Sequence, residues 1–166
     1  MRKQSGFTLV ELMVVVSITI LLLAWGVPSY SSWKKKHEVE NQVFQLYSDL
    51  QFARMNAYSH KIASGICWAG GTSLTSYTIR SDSNDNGQID DSGGFTQIGN
   101  GVTSKYTITS NVSETSVTFD GRGFLSPNTP VMFYISPNYG AANDCVGVSS
   151  TRITVGKKNG STCSPK

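Results

Sequence analysis

The chain has 166 residues, 39% of them hydrophobic and 15% charged, which leaves room for one long anchor helix and one head of about 100 residues. Its formal charge is +3, and only +1 once Arg2 and Lys3 are set aside, so net charge alone makes no case for nucleic-acid binding. Three cysteines, Cys67, Cys145 and Cys163, allow one disulfide and one leftover thiol if that part of the chain is exported.

In chain order, a short polar leader (residues 1–6) carries two cations, Arg2 and Lys3. From Phe7 to Val27 there follow 21 residues with a single charge, Glu11. As a helix this run is about 31 Å long, the thickness of bilayer hydrocarbon. A secretory signal peptide carries its small-residue cut site after the apolar run; here Gly6 stands before it, which predicts a retained segment. An ionisable group inside such a run costs roughly 3 kcal/mol and marks a function; the alternative for Glu11 is a carboxylate snorkelling at the membrane edge. Arg2 and Lys3 favour a cytoplasmic N-terminus, whereas Lys34, Lys35 and Lys36 beyond the run argue the other way. Pro28 removes a backbone donor and crowds the preceding turn, predicting a kink.

Ser32 to Ile62 contains no Gly or Pro, and Val39, Val43, Leu46, Leu50, Ala53 and Ala57 recur every three or four residues. This is one helical stripe, with Glu38, Gln42, Gln45, Asp49 and Arg54 off it. The aromatic residues Phe44, Tyr47 and Tyr58 read as core. After Ser64-Gly65 the period changes. Residues 76–80, 105–109, 116–119, 131–135 and 152–155 are short β-branched and aromatic runs bounded by Gly, Asn, Asp or Pro, and Ile66-Cys67-Trp68 adds a sixth. The expected fold is α+β: a long N-terminal helix, transmembrane and then amphipathic, packed against an antiparallel sheet. The expected divisions are a leader (1–6), the transmembrane half of the helix (7–30), its amphipathic half (31–64) and a β-rich head (65–166) with a C-terminal hairpin.

Gly6-Phe7-Thr8-Leu9-Val10-Glu11, the basic leader before it and the apolar run after it resemble the class III signal of type IV pilins and type II secretion pseudopilins. The resemblance implies that a prepilin peptidase cuts between Gly6 and Phe7 and N-methylates Phe7. It also implies that Glu11 pairs with the freed amine of a neighbouring subunit and sets register, and that Pro28 marks the family's helix kink. A cytoplasm-facing peptidase would settle the topology, with the head outside the inner membrane. Residues 82–91, 119–124 and 152–163 resemble loops and the last hairpin of the FimT, FimU and GspH-like branch. DNA-binding members of that branch carry a Gly-Arg-x-Arg motif near the C-terminus, which this chain does not reproduce.

Asp82, Asn84, Asn86, Gly87 and Asp90 fall at positions 1, 3, 5, 6 and 9 of an EF-hand-type calcium loop, but position 12 is Gly93. The competing reading is an ordinary Asx turn. His37 and His60 have no metal-ligand spacing to a cysteine, and nucleophile-elbow, P-loop and Rossmann fingerprints are missing. The chain reads as a non-enzyme without a cofactor or small-molecule substrate. A bridge between Cys145 and Cys163 would close a loop of 19 residues, leaving Cys67 as a buried thiol.

The resemblance implies a minor type IV pilin of the filament or its priming complex, supporting pilus biogenesis and with it twitching, adhesion or DNA uptake. The alternatives are an H-type pseudopilin of type II secretion and a DNA-binding pilin that uses Arg152, Lys157 and Lys158 beside Lys105. Expected partners are other pilins, the prepilin peptidase, the inner-membrane assembly platform and, on the last reading, DNA.

Overall fold

The computed structural model describes residues 6–87, 89 and 94–165, the side chains of residues 25–29 excepted. The chain divides into two compact units, Met1–Lys35 and Lys36–Lys166. The first helix, α1, runs over Leu9–His60 and contributes to both. Helical geometry continues through Pro28, whose side chain lies outside those described.

In the first unit the helix begins abruptly because Thr8 caps it. The Thr8 hydroxyl oxygen accepts the Glu11 backbone N–H at 3.2 Å, and the Thr8 carbonyl accepts that of Leu12 at 3.3 Å. The hydroxyls within the apolar run are satisfied by the helix itself: Ser17 donates to the Met13 carbonyl at 2.8 Å and Thr19 to that of Val15 at 2.7 Å. Such back-bonding lets a hydroxyl sit in apolar surroundings without a lost partner. The described part of the apolar run within the helix, Leu9 to Ala24, is 16 residues long and includes Glu11, Ser17 and Thr19. Among the described residues no helix is long and apolar enough to cross a membrane; residues 25–29, where the run continues, lie outside the described side chains.

In the second unit the amphipathic stripe does what its spacing predicts. Val39, Val43, Leu46, Leu50, Ala53 and Ala57 are each at most 3% exposed. They pack in one core with Ile66, Leu74, Ile79, Ile108, Val117, Phe119, Phe133, Ile135 and Val146 from the strands. Phe44 and Tyr58 do not join it: they are 49% and 57% exposed. Phe44 follows Val43 and so lies 100° round the helix from the stripe. Tyr47 is partly buried against the core.

Ten strands among the described residues make one antiparallel sheet curled over this helix. They are β1 (Ser64–Trp68), β2 (Ser73–Asp82), β3 (Phe95–Gln97), β4 (Val102–Ser110), β5 (Ser116–Phe119), β6 (Leu125–Ser126), β7 (Val131–Ile135), β8 (Cys145–Val148), β9 (Ile153–Asn159) and β10 (Thr162–Ser164). Their order is β10-β9-β8-β7-β4-β2-β1-β5-β6, with β3 on the end of β2. All six expected strands are present. The helix stops at His60, short of the expected 64, because Lys61 turns into the left-handed region (φ 61°) and Ser64 already belongs to β1.

Between Leu74↔Ile108 and Ser76↔Thr103 one residue of β2 faces four of β4, so residues 104–107 bulge out of the sheet. The helix takes over the bulge. Gln42 gives its side-chain amide N–H to the Tyr106 carbonyl (2.5 Å) and accepts the Tyr106 N–H (2.9 Å), replacing the missing strand partner. Glu38 accepts from the Tyr106 hydroxyl at 2.8 Å and pairs with Lys105 at 2.6 Å; the first of these contacts pushes the Tyr106 phenol up to about 12.

Candidate functional site

The candidate residues fall in three places. The first is the start of the chain. Gly6, Phe7 and Thr8 are not helical, and Leu9 is the first helical residue. Thr8 is the N-cap and Glu11 the third helical position, the Thr-x-x-Glu pattern of a capping box. Glu11 is exposed in the isolated chain, as are Phe7 (84%) and Leu9 (76%). No described residue of the first unit covers this apolar surface.

The second place is the acidic turn. Asp82 is 1% exposed, and its carboxylate is occupied by backbone donors: the Asn84 N–H at 3.0 Å and the Gly87 N–H at 2.6 Å. The Asn86 N–H donates in turn to the Asn84 side-chain oxygen at 3.2 Å. These are nested Asx turns. Asp90 lies outside the described residues, and among those described no group of three metal-ligating side chains is found. Ile89 folds back over β1, where its carbonyl accepts the Cys67 thiol at 2.9 Å. Cys67 is the buried free cysteine.

The third place is the C-terminal hairpin, where the arrangement differs from the expected turn of cations. Lys157 and Lys158 lie in β9; the turn is Gly160-Ser161, with Gly160 at φ 60°. Side chains of consecutive strand residues point to opposite faces. Lys157 therefore reaches inward to Asp144, 2.9 Å away, and to the Ala141 carbonyl at 2.6 Å. Lys158 lies over the Tyr134 ring, 3.6 Å from its centroid. Arg152 is exposed at the start of the strand. The expected three-cation patch is thus divided, and one of its members is neutralised.

Asp144, which sequence reasoning passed over, organises this region. It is 2% exposed and accepts from the Lys158 N–H (2.7 Å) and the Asn138 amide (2.6 Å) as well as from Lys157. Burial alone would raise its carboxyl; the donors from Lys158, Lys157 and Asn138 outweigh that and hold it below the ordinary aspartate range. Next to it, Cys145 bridges Cys163 with Cα atoms 5.8 Å apart. Cys145 lies opposite Gly156 and Cys163 opposite Lys158 on the two sides of β9, so the bridge spans a strand. Gly156 makes this approach possible, because a Cβ there would run into the Ser164 carbonyl.

A third buried carboxylate, Asp49, faces the sheet from the helix. It accepts from the Tyr77 hydroxyl at 2.6 Å and the Gln45 amide at 3.0 Å. Burial and this bond raise the Tyr77 phenol far above its usual value. The arrangement is a structural tie between the helix and β2.

Known proteins share both ends of this description. The family described as Type II transport protein GspH matches residues 42–152, and the prokaryotic N-terminal methylation motif matches residues 1–27. Over 36 residues the chain is 53% identical to prepilin peptidase-dependent protein D of Escherichia coli K12 and 56% identical to the type IV pilus subunit protein TapA of Aeromonas hydrophila. Each match covers 22% of this chain, which spans only 25% of the length of either relative. The fold is that of the type IV minor pilin FimU of Pseudomonas aeruginosa PAO1. One crystal form gives a TM-score of 0.58 at 19% identity over 75% of this chain and 92% of that one; another gives 0.55 at 20% over 71% and 92%. Family and fold are those of structural pilin subunits and not of enzymes. The chain belongs to the GspH family of type II transport proteins, the minor pilins and pseudopilins that carry an N-terminal methylation motif.

Proposed function

We propose that the chain is a minor type IV pilin, processed at its N-terminus and assembled with other pilins into the filament or its priming complex. The observation that carries this reading is an apolar helix start, Leu9 to Ala24, exposed along its length and lying within the match to the N-terminal methylation motif, residues 1–27. Exposed apolar surface of that extent needs lipid or another subunit to cover it. In this reading the prepilin peptidase cuts after Gly6, Phe7 carries the methyl group, and residues 7–30 hold the precursor in the inner membrane with the head outside. Glu11 then meets the Phe7 amine of a neighbour and fixes the axial register, while Pro28 provides a bend.

A second reading, a pseudopilin of type II secretion, is favoured by the family description itself. Deleting the gene distinguishes the two: loss of piliation and twitching with normal protein secretion supports the pilus, and the reverse pattern supports the secretion machine. The acidic turn fits the Asx-turn reading, with nested backbone bonds to Asp82 and Asn84 and no group of three metal-ligating side chains among the described residues. For the DNA-binding alternative, Lys157 is paired with Asp144, which leaves Arg152 and Lys158 as its candidate contacts.

A further inference from the structure

We propose that Thr8 is a positioning residue for processing: its hydroxyl fixes the helix start so that the Gly6–Phe7 bond stays in non-helical backbone. This inference rests on cleavage after Gly6 and adds a residue to that step. The bond that would be hydrolysed lies in the three non-helical residues 6–8, and the helix starts immediately afterwards at Leu9. What separates the two is the Thr8 cap, with its side-chain oxygen on the Glu11 N–H and its carbonyl on the Leu12 N–H. A peptide bond inside a helix has its groups engaged in the ladder and must be opened before a protease can seat it. A bond two residues ahead of a capped start needs no opening.

Gly6 itself supports this division. A Cβ added there would meet nothing within 4 Å, so the local fold makes no demand for glycine. The demand belongs to whatever reads the segment. In the step, water adds across the Gly6–Phe7 amide; Gly6 leaves with the new carboxylate and Phe7 keeps the nitrogen as an amine. The same cap sets Glu11 one helical turn from that nitrogen.

The test is cleavage of the full-length precursor in lipid vesicles by purified prepilin peptidase, followed by intact mass. Thr8→Val keeps the shape and removes the capping oxygen, so nothing holds the helix from starting earlier and drawing the Gly6–Phe7 bond into its first turn; it is expected to be cut about fivefold more slowly, the factor by which a cap favours its own start. Thr8→Ser and Thr8→Asn both retain a capping oxygen, in different shapes, and are expected to be cut within about twofold of the unaltered chain. Cleavage of Thr8→Val at the unaltered rate would overturn the proposal. So would a Thr8→Asn variant as slow as Thr8→Val, since the peptidase would then be reading the threonine shape directly. Gly6→Ala is the control: its normal cleavage would refute the processing site itself, a different failure from either of the others.

Discussion

The two parts of α1 use the same kind of apolar residue to opposite ends. From Val39 to Ala57 the stripe of Val39, Val43, Leu46, Leu50, Ala53 and Ala57 is covered by the chain's own sheet, while Phe44, Phe52 and Met55 off the stripe stay exposed. From Leu9 to Ala24 apolar residues occupy all sides, and none is covered by the described residues of its unit. Periodicity is what separates them: a single stripe asks for one neighbour, whereas an all-round apolar surface asks for an apolar environment. The first demand is met by folding and the second by assembly or lipid, so substitutions in the two parts should fail in different assays.

The largest difference is expected at Glu11. Glu11→Val should insert and be processed yet be absent from sheared filaments, with the head's unfolding midpoint unchanged; equal incorporation would reduce Glu11 to a snorkelling carboxylate. Leu50→Ala should do the reverse. Leu50 is fully buried, and its truncation should cost about 3 kcal/mol in denaturant unfolding of the head. Phe44→Ala, one stripe away and exposed, should stay within about 0.5 kcal/mol.

Reducing the Cys145–Cys163 bridge, or replacing both cysteines by serine, should cost roughly 3 kcal/mol by the loop-closure argument. Peptide mapping should find Cys145 linked to Cys163 and Cys67 as a thiol. The pH dependence is a smaller effect. Because the folded Asp144 carboxyl lies below its unfolded value, the stability it contributes is complete above the unfolded value and is lost as pH falls through the folded one. Asp144→Asn should therefore lower stability at neutral pH and flatten the acid limb of the unfolding profile; an unchanged acid limb would remove Asp144 as its cause.

The helix was legible because its signals are local. The spacing of Val39, Val43, Leu46, Leu50, Ala53 and Ala57 alone names the buried face, and the Thr-x-x-Glu pattern at Thr8 and Glu11 was available to mark its start. Most strands were equally open, since β-branched runs between turn residues need no distant information. β8 was not, because Cys145-Val146-Gly147-Val148 is short and holds a glycine. The hairpin misled for a related reason. Gly156 and Gly160 bracket Lys157 and Lys158 like a turn, but only Gly160 turns; Gly156 clears space for β10. The role of Asp144 depends on Asn138, Lys157 and Lys158 converging from separate segments, which no short pattern encodes.

The account depends most on the apolar start being a processed assembly segment, and the mass of the mature N-terminal peptide tests that directly. Protein purified from membranes or filaments should begin at Phe7 and carry one extra methyl group on its amine. A mature chain that still begins at Met1, or one cut beyond the apolar run, would contradict it.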